Sequence, residues 1–302
     1  MPSDKKSDNT NSSSSQSTPD LSPPKPSAEP YEEGSHPRVV WVTGSGAPRV
    51  GRSVAEHFAR EHYCIALHAH HSIDQAERVA HAWRMEGVRC MVTHGDVSDM
   101  QAMQHAVDAI HNHFGRLDAT VHCAAIWEWR ALEQTTADDI RRNFEINTLG
   151  SYAVAKASGL QMVKQQTGGA IVLIGDWAIA RPYRDFSAYF TGKGAVETIV
   201  RSMAVELATR NPSVRVNGIL PGPVMLDPSI DADGAEKIRR ACLLQRHGEP
   251  EHVAQAAFFL ARHEFITGVC LPVDGGRTIW SGYETDRIAH PTYGVNRDEG
   301  HD

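Results

Sequence analysis

The chain has 302 residues, 41% of them hydrophobic, and a formal net charge of −7. That is ample material for one large core, and the acidic balance argues against nucleic acid or an anionic membrane as partner. With no run of 18 apolar residues, no membrane-spanning helix is expected.

Five scattered cysteines, Cys64, Cys90, Cys123, Cys242 and Cys270, lie mostly in apolar runs and read as thiols of a reducing compartment. The 17 histidines show no closed zinc spacing, so no metal is expected. Residues 1–36 are Ser, Pro and charge with almost no aliphatic side chains, which predicts a disordered tail. The tail lacks the apolar core of a secretory signal, so a cytoplasmic protein is expected.

Over residues 37–280, strand-length apolar runs alternate with helical spacing. The runs are Val39 to Val42, Tyr63 to Leu67, Cys90 to Thr93, Ala119 to Val121, Ala170 to Ile174, Val214 to Ile219 and Val269 to Val273. Near-continuous apolar strands are buried on both faces. Helical faces lie between them: Val54, Ala55, Phe58 and Ala59; Ala76, Val79, Ala80 and Trp83; Ala102, Ala106, Val107 and Ile110; Val253, Ala256, Ala257 and Leu260. The pattern predicts one α/β domain, a Rossmann-like doubly wound parallel sheet of about seven strands with helices on both faces. Residues 281–302 show no periodic apolar pattern and are expected to be a loosely ordered extension or to lie on a neighbouring subunit.

In such a sheet, ligands sit at the carboxyl ends of the strands. The first strand-to-helix turn reads Thr43-Gly44-Ser45-Gly46-Ala47-Pro48-Arg49-Val50-Gly51, with the helix expected from near Arg52. Glycines there permit a tight turn and a close approach of backbone to a pyrophosphate on the helix N-terminus.

Tyr189 and Lys193 stand four apart after the strand that leads to Asp176. On a helix they share a face, and an ammonium one turn away can lower a phenol pKa of ~10 toward proton transfer. The plain alternative is an ordinary helix face, and Tyr152 with Lys156 repeats the spacing in a polar helical context.

The Thr-Gly turn, Asp96-Val97, Asn147-Thr148-Leu149-Gly150, Tyr189-x-x-x-Lys193 and Pro221-Gly222-Pro223-Val224 together resemble a short-chain dehydrogenase/reductase over about residues 38 to 280. Within that family the chain is most similar to pteridine reductases: Asp176 stands where most members have Ser, Arg49 lies two before the last glycine of the turn, and His68-Ala69-His70-His71-Ser72 follows the second strand.

The resemblance implies a catalytic set of Tyr189 as proton donor, Lys193 holding the nicotinamide ribose and tuning Tyr189, Asn147 keeping a relay water, and Asp176 gripping an N–C–N edge or passing protons. It implies cofactor contacts from Gly44, Ser45, Arg49, Val50, Gly51, His68, His70, His71, Ser72, Asp96, Val97, Ala124, Lys193, Pro221, Gly222 and Val224. Trp127 would stack on a flat substrate, with Asp176, Tyr189 and Arg49 also touching it; packing is the plainer role for Trp127. Asp96 would bind the adenine amine, and a helix cap before Met100 is its plain alternative.

Three departures stand out. His122-Cys123-Ala124-Ala125 replaces Asn-Asn-Ala-Gly and is expected to remove polar contacts at the sheet end. The glycine turn is one residue longer, with Pro48 lacking an N–H, and His71 stands where pteridine reductases have Arg.

No acid ends the second strand to bond a ribose 2′-hydroxyl, while imidazoles and Ser72 can donate to a 2′-phosphate, so NADPH is expected over NADH. Met225 to Gln245 reads as a mobile lid or a surface insertion. The expected function is NADPH-dependent reduction of a small pteridine-like heterocycle. The alternatives are a carbonyl or 3-oxoacyl reductase and a non-catalytic cofactor-binding sensor or scaffold. The resemblance further implies a homo-oligomer, a tetramer with helices around 136 to 165 and 187 to 211 between subunits.

Overall fold

The computed structural model describes residues 37–280. The expected tail over 1–36 and extension over 281–302 fall outside the described residues.

The elements follow one another as β1 (Val39–Thr43), α1 (Val50–Arg60), β2 (Cys64–Ala69), α2 (Ile73–Met85), β3 (Cys90–His94), α3 (Met100–Phe114) and β4 (Ala119–His122). Then come α4 (Ala137–Asn143), a π-helical turn (Phe144–Leu149), α5 (Gly150–Val163), β5 (Gly169–Ile174), α6 (Ser187–Lys193), α7 (Val196–Ala208), β6 (Val214–Pro221), α8 (Ala232–Arg240), α9 (Pro250–Arg262) and β7 (Cys270–Val273).

The strands form a seven-stranded parallel sheet ordered β3-β2-β1-β4-β5-β6-β7. The chain reverses its winding between β3 and β4, so the crevice of the switch point opens at the ends of β1 and β4. Each apolar run foreseen from the sequence is a strand, within two residues at either end. β7 is only partly buried and tolerates Pro272, as an edge strand can.

Two cores lie on the two faces of the sheet. Trp41, Met103, Ile110, Val154 and Leu207 fill one, under α3, α5 and α7. Phe58, Leu67, Trp83, Val253 and Leu260 fill the other, under α1, α2 and α9. Each such aliphatic or phenyl side chain contributes roughly 1.5–3 kcal/mol by leaving water. Trp41 also satisfies its indole N–H, which donates to Thr93 Oγ1 at 3.1 Å.

Local signals set the helix ends. Asp99, not Asp96, caps α3, accepting from the N–H groups of Gln101 and Ala102. A Thr136–Asp139 capping box opens α4. The two long helices expected around 136 to 165 and 187 to 211 are both interrupted, the first by the π-helical turn and the second near Gly194.

Candidate active site

Thr43 ends β1 and organises the crevice. Its Oγ1 accepts from the N–H groups of Cys123 at 3.1 Å and Ala124 at 3.2 Å. The hydroxyl proton is therefore directed at His122 Nδ1, 2.8 Å away, which places the ring proton on Nε2. Nε2 is buried without an acceptor. Burial, with the Lys193 and His68 charges, pushes His122 down to about 3, so the ring is neutral. The expectation that His122 to Ala125 loses polar contacts is corrected: the imidazole meets Thr43 directly, and backbone amides supply the rest.

Gly44 has φ +66, and a Cβ there would lie 2.8 Å from Ala124 Cα, so only glycine closes this turn without strain. Ser45 is buried, donating to the Val42 carbonyl at 2.8 Å and accepting from His68 N–H at 3.0 Å. Arg52, absent from the expected site, is buried beneath the loop. Its Nε and Nη2 donate to the carbonyls of Ser45 (3.0 Å) and Gly46 (2.6 Å) and draw both inward.

Helix α1 opens at Val50 and Gly51, after an exposed Arg49, with no side-chain cap and no acid in its first turn. Uncapped N–H groups at a glycine turn are the arrangement that receives a pyrophosphate, so the residues fit a dinucleotide.

The histidines after β2 separate into two environments. His68 is buried edge-on to Trp41, with Gly44 N–H 3.5 Å from its Nδ1, and burial pushes it down to about 4. It therefore lies under the turn as a neutral ring, apart from His70 and His71, which are exposed with ring centroids 3.9 Å apart. His70 Nδ1 is 3.9 Å from Asp96 Oδ2, and the Ser72 hydroxyl occupies the space a Gly46 side chain would need.

Asp96 accepts from Ser98 N–H at 2.9 Å and Ser98 O–H at 2.8 Å. Burial raises its carboxyl, but the Ser98 bonds and the two imidazoles outweigh that and hold it below the usual range. Val97 is buried against Gly150, where a Cβ would lie 2.8 Å from Val97 Cγ2. Pro221 ends β6, Gly222 N–H donates to the Val273 carbonyl at 2.9 Å, and Val224 is buried beyond.

Asp176, Tyr189 and Lys193 come together at the end of β5. Asp176 Oδ1 accepts from Ala178 N–H at 2.8 Å, and Oδ2 accepts from the Tyr189 hydroxyl at 2.5 Å. Lys193 Nζ donates to the Ile174 carbonyl at 2.7 Å. Tyr189 and Lys193 are each only 4% exposed.

Burial raises the Asp176 carboxyl, partly offset by the bonds from Tyr189 and Ala178 and by the Lys193 charge. Burial, then the Asp176 charge and hydrogen bond, hold the Tyr189 phenol well above its ordinary value. The expectation that Lys193 lowers it is corrected, because the hydroxyl donates to an anion and the ammonium turns to a carbonyl instead. Desolvation brings Lys193 down to about 8, with Asp176 pulling the other way.

Gly192 lets α6 approach this close, since a Cβ would lie 2.6 Å from the Asn143 carbonyl oxygen. Asn147, in the π-helical turn, clamps the chain beyond β4: its Oδ1 accepts from Ile126 N–H and its Nδ2 donates to Ile126 C=O, both at 3.1 Å.

The mouth of the cleft is aromatic. Trp127, 47% exposed, stacks on Phe186 at 4.7 Å between centroids, and its indole N–H donates to Tyr183 Oη at 3.0 Å. Tyr183 packs edge-on against Phe186 and Phe190. Phe186, Tyr183 and Phe190 were missed from the sequence, where they fall in and after a loop with no periodic pattern.

A parallel sheet with a glycine turn at its switch point and a buried Asp-Tyr-Lys set beside it defines a nicotinamide-dependent oxidoreductase, and the comparisons agree. A family model described as enoyl-(acyl carrier protein) reductase matches residues 47–278. L-rhamnose 1-dehydrogenase (NAD(P)(+)) of Sphingomonas sp. (strain SKA58) is 30% identical over 245 residues, covering 79% of this chain and 95% of the relative. 3-oxoacyl-(acyl-carrier-protein) reductase of Homo sapiens is 32% identical over 239 residues, covering 79% and 97%. The solved structure of a short-chain type dehydrogenase/reductase from Mycobacterium ulcerans superposes with TM-score 0.75 at 29% identity, covering 85% of this chain and 96% of that one. The chain belongs to the short-chain dehydrogenase/reductase family and is an NAD(P)-dependent oxidoreductase of that type.

Proposed function

We propose that the protein is an NADPH-dependent reductase of a small, flat heterocycle of pteridine-like chemistry, with Tyr189 as proton donor. The observation that carries the reading is the Asp176 carboxylate, 2.5 Å from the Tyr189 hydroxyl beside the Trp127–Phe186 stack. A carboxylate is an acceptor with two oxygens, which suits a ring edge carrying two N–H donors better than the single hydroxyl of Ser.

The bound nicotinamide would supply the hydride. Lys193 would hold its ribose, Gly44 to Gly51 the pyrophosphate, Asp96 the adenine amine, and His71 with Ser72 the 2′-phosphate. Tyr189 would turn its proton from Asp176 to the anion that develops on the substrate, and Asn147, whose amide clamps Ile126, would keep a water in the proton relay. A homotetramer belongs to this reading, supported by exposed Ile140, Phe144 and Tyr152 on α4, the π-helical turn and α5.

A second reading is reduction of a ketone or 3-oxoacyl group, favoured by the name of the human relative. Initial rates with pterins, quinones and oxoacyl esters, each with NADPH and NADH, distinguish the two. Fastest turnover of a pterin supports the first reading, and turnover of oxoacyl esters alone supports the second. Cofactor binding without oxidation by any substrate contradicts both and leaves a sensor or scaffold.

A further inference from the structure

Beyond the Asp176–Tyr189–Lys193 set, the mouth of the cleft carries a second group of polar atoms that proton transfer does not use. Trp177 follows Asp176 directly, and Arg277 Cζ stands 4.6 Å from the Trp177 ring centroid. Arg277 Nη1 donates to the Ile238 carbonyl of α8 at 3.1 Å, while its Nε is buried with no acceptor. Arg181 Nη1 donates to the carbonyls of Arg277 at 3.0 Å and Trp280 at 2.5 Å. The Trp280 indole N–H is likewise buried with no acceptor among the described residues.

Neither guanidinium makes an ion pair among the described residues. Several arginines elsewhere meet acids, Arg116 with Asp118, Arg130 with Asp139 and Arg239 with Glu236, whereas the buried Arg52 and Arg215 donate to carbonyls. The nearby Asp274 is already taken, its oxygens accepting from Gly276 N–H, Thr278 N–H and Thr278 O–H. In a chain with 37 acids against 30 bases, two guanidiniums without carboxylate partners and two unmatched buried donors make a spot rich in donors and short of acceptors. Buried donors are nearly always matched, and an anion is the partner that matches several at once. The spot adjoins the substrate wall, because the Trp177 ring beneath Arg277 lies 6.4 Å between centroids from Tyr183, whose oxygen accepts from Trp127.

We infer that Arg277 and Arg181 form an anion-recognising subsite, so that the substrate carries a carboxylate or phosphate at the end remote from its reducible bond. This deepens the reductase reading and rests on it for the position of the reacting end. The competing role is a latch, in which Arg277 merely ties the Trp177 turn to α8.

The test uses substrate sets that share a reacting group and differ at the remote end as carboxylate, phosphate monoester or neutral methyl ester, one set built on a pterin and one on a simple ketone. Turnover is measured with NADPH, and affinity is measured by titration against the NADP+ complex, so a compound that binds without reacting is still scored. The expected result is about a tenfold preference of the wild type for an anionic member, expressed in KM rather than kcat. The carboxylate and phosphate arms show which anion the subsite prefers. Arg277→Met should lower kcat/KM for the anionic member about tenfold more than for its ester, and Arg277→Lys should restore part of the difference.

Equal affinity for all members, or no binding of any, overturns the inference. So does an equal loss on anionic and neutral members in Arg277→Met, which is the result a latch gives. Failure of the heterocycle reading looks different: the pterin set is refused while the ketone set still shows the anionic preference.

Discussion

Tyr189 with Lys193 and Tyr152 with Lys156 have the same spacing on helices, yet only the first pair is withdrawn from water. Tyr189 is 4% exposed and Tyr152 42%. Spacing guarantees that two side chains share a helix face; what the face meets is decided by tertiary packing. On the Tyr152 face of α5 both side chains are exposed in the single chain, with no buried carboxylate beside them. The Tyr189 face meets the end of β5, where desolvation and Asp176 move every ionisation in the set. Substitutions on either side break or sharpen this contrast.

The largest effect should come from Lys193→Met, which removes the only buried ammonium described in the cleft. Turnover should fall on the order of 10²–10³-fold, while Lys156→Met stays near wild type. Since burial brings Lys193 down to about 8, it is charged below that pH and neutral above it. The wild-type kcat/KM profile should therefore fall as pH rises past about 8. The same shift means that the unfolded chain holds this proton up to ~10.5, so the Lys193 contribution to stability improves from pH 8 toward 10.5.

Asp176→Ser is expected to cost roughly 10- to 10²-fold in kcat/KM on a donor-bearing heterocycle and little on a simple ketone. Comparable losses on both would make Asp176 a structural or general relay group.

Histidine offers the same contrast between buried and exposed copies. His68 and His122, held near 4 and 3, stay neutral in the fold while the unfolded chain takes up protons below ~6.5. Stability should fall as pH drops from 6.5, by on the order of 3 kcal/mol for His68 at pH 4. Urea midpoints from pH 7 to 4.5 should show a shallower fall in His122→Asn than in wild type, and parallel curves would contradict this. On the exposed side, His71→Glu should weaken NADPH binding about tenfold by repelling the 2′-phosphate and leave NADH nearly unaffected. Equal weakening of both cofactors would remove His71 from the phosphate site.

Much of the fold was legible because a parallel sheet buried on both faces leaves an unmistakable trace, runs such as Val39 to Val42 and Ala170 to Ile174. The glycine turn and the Asp176–Tyr189–Lys193 set were legible for a similar reason, since each depends on local spacing along one strand-turn-helix unit. What stayed hidden depends on pairs distant in the chain. Thr43 and His122 are 79 positions apart, and only their 2.8 Å contact shows that the altered segment keeps a polar strut. Arg52 looks like any helix arginine until its guanidinium is seen under the turn. The direction of the Tyr189 shift was misjudged because Lys193 is its neighbour in sequence, whereas Asp176 is its neighbour in space.

The central claim is that burial beside Asp176, and not the Tyr-x-x-x-Lys spacing, makes one pair the proton-transfer site. Pre-steady-state oxidation of NADPH by wild type, Tyr189→Phe and Tyr152→Phe, with cofactor affinity measured separately on each, tests it most directly. The account predicts a loss on the order of 10²-fold or more in Tyr189→Phe with cofactor binding retained, and a rate near wild type in Tyr152→Phe. An unimpaired Tyr189→Phe, or the larger loss in Tyr152→Phe, would contradict it.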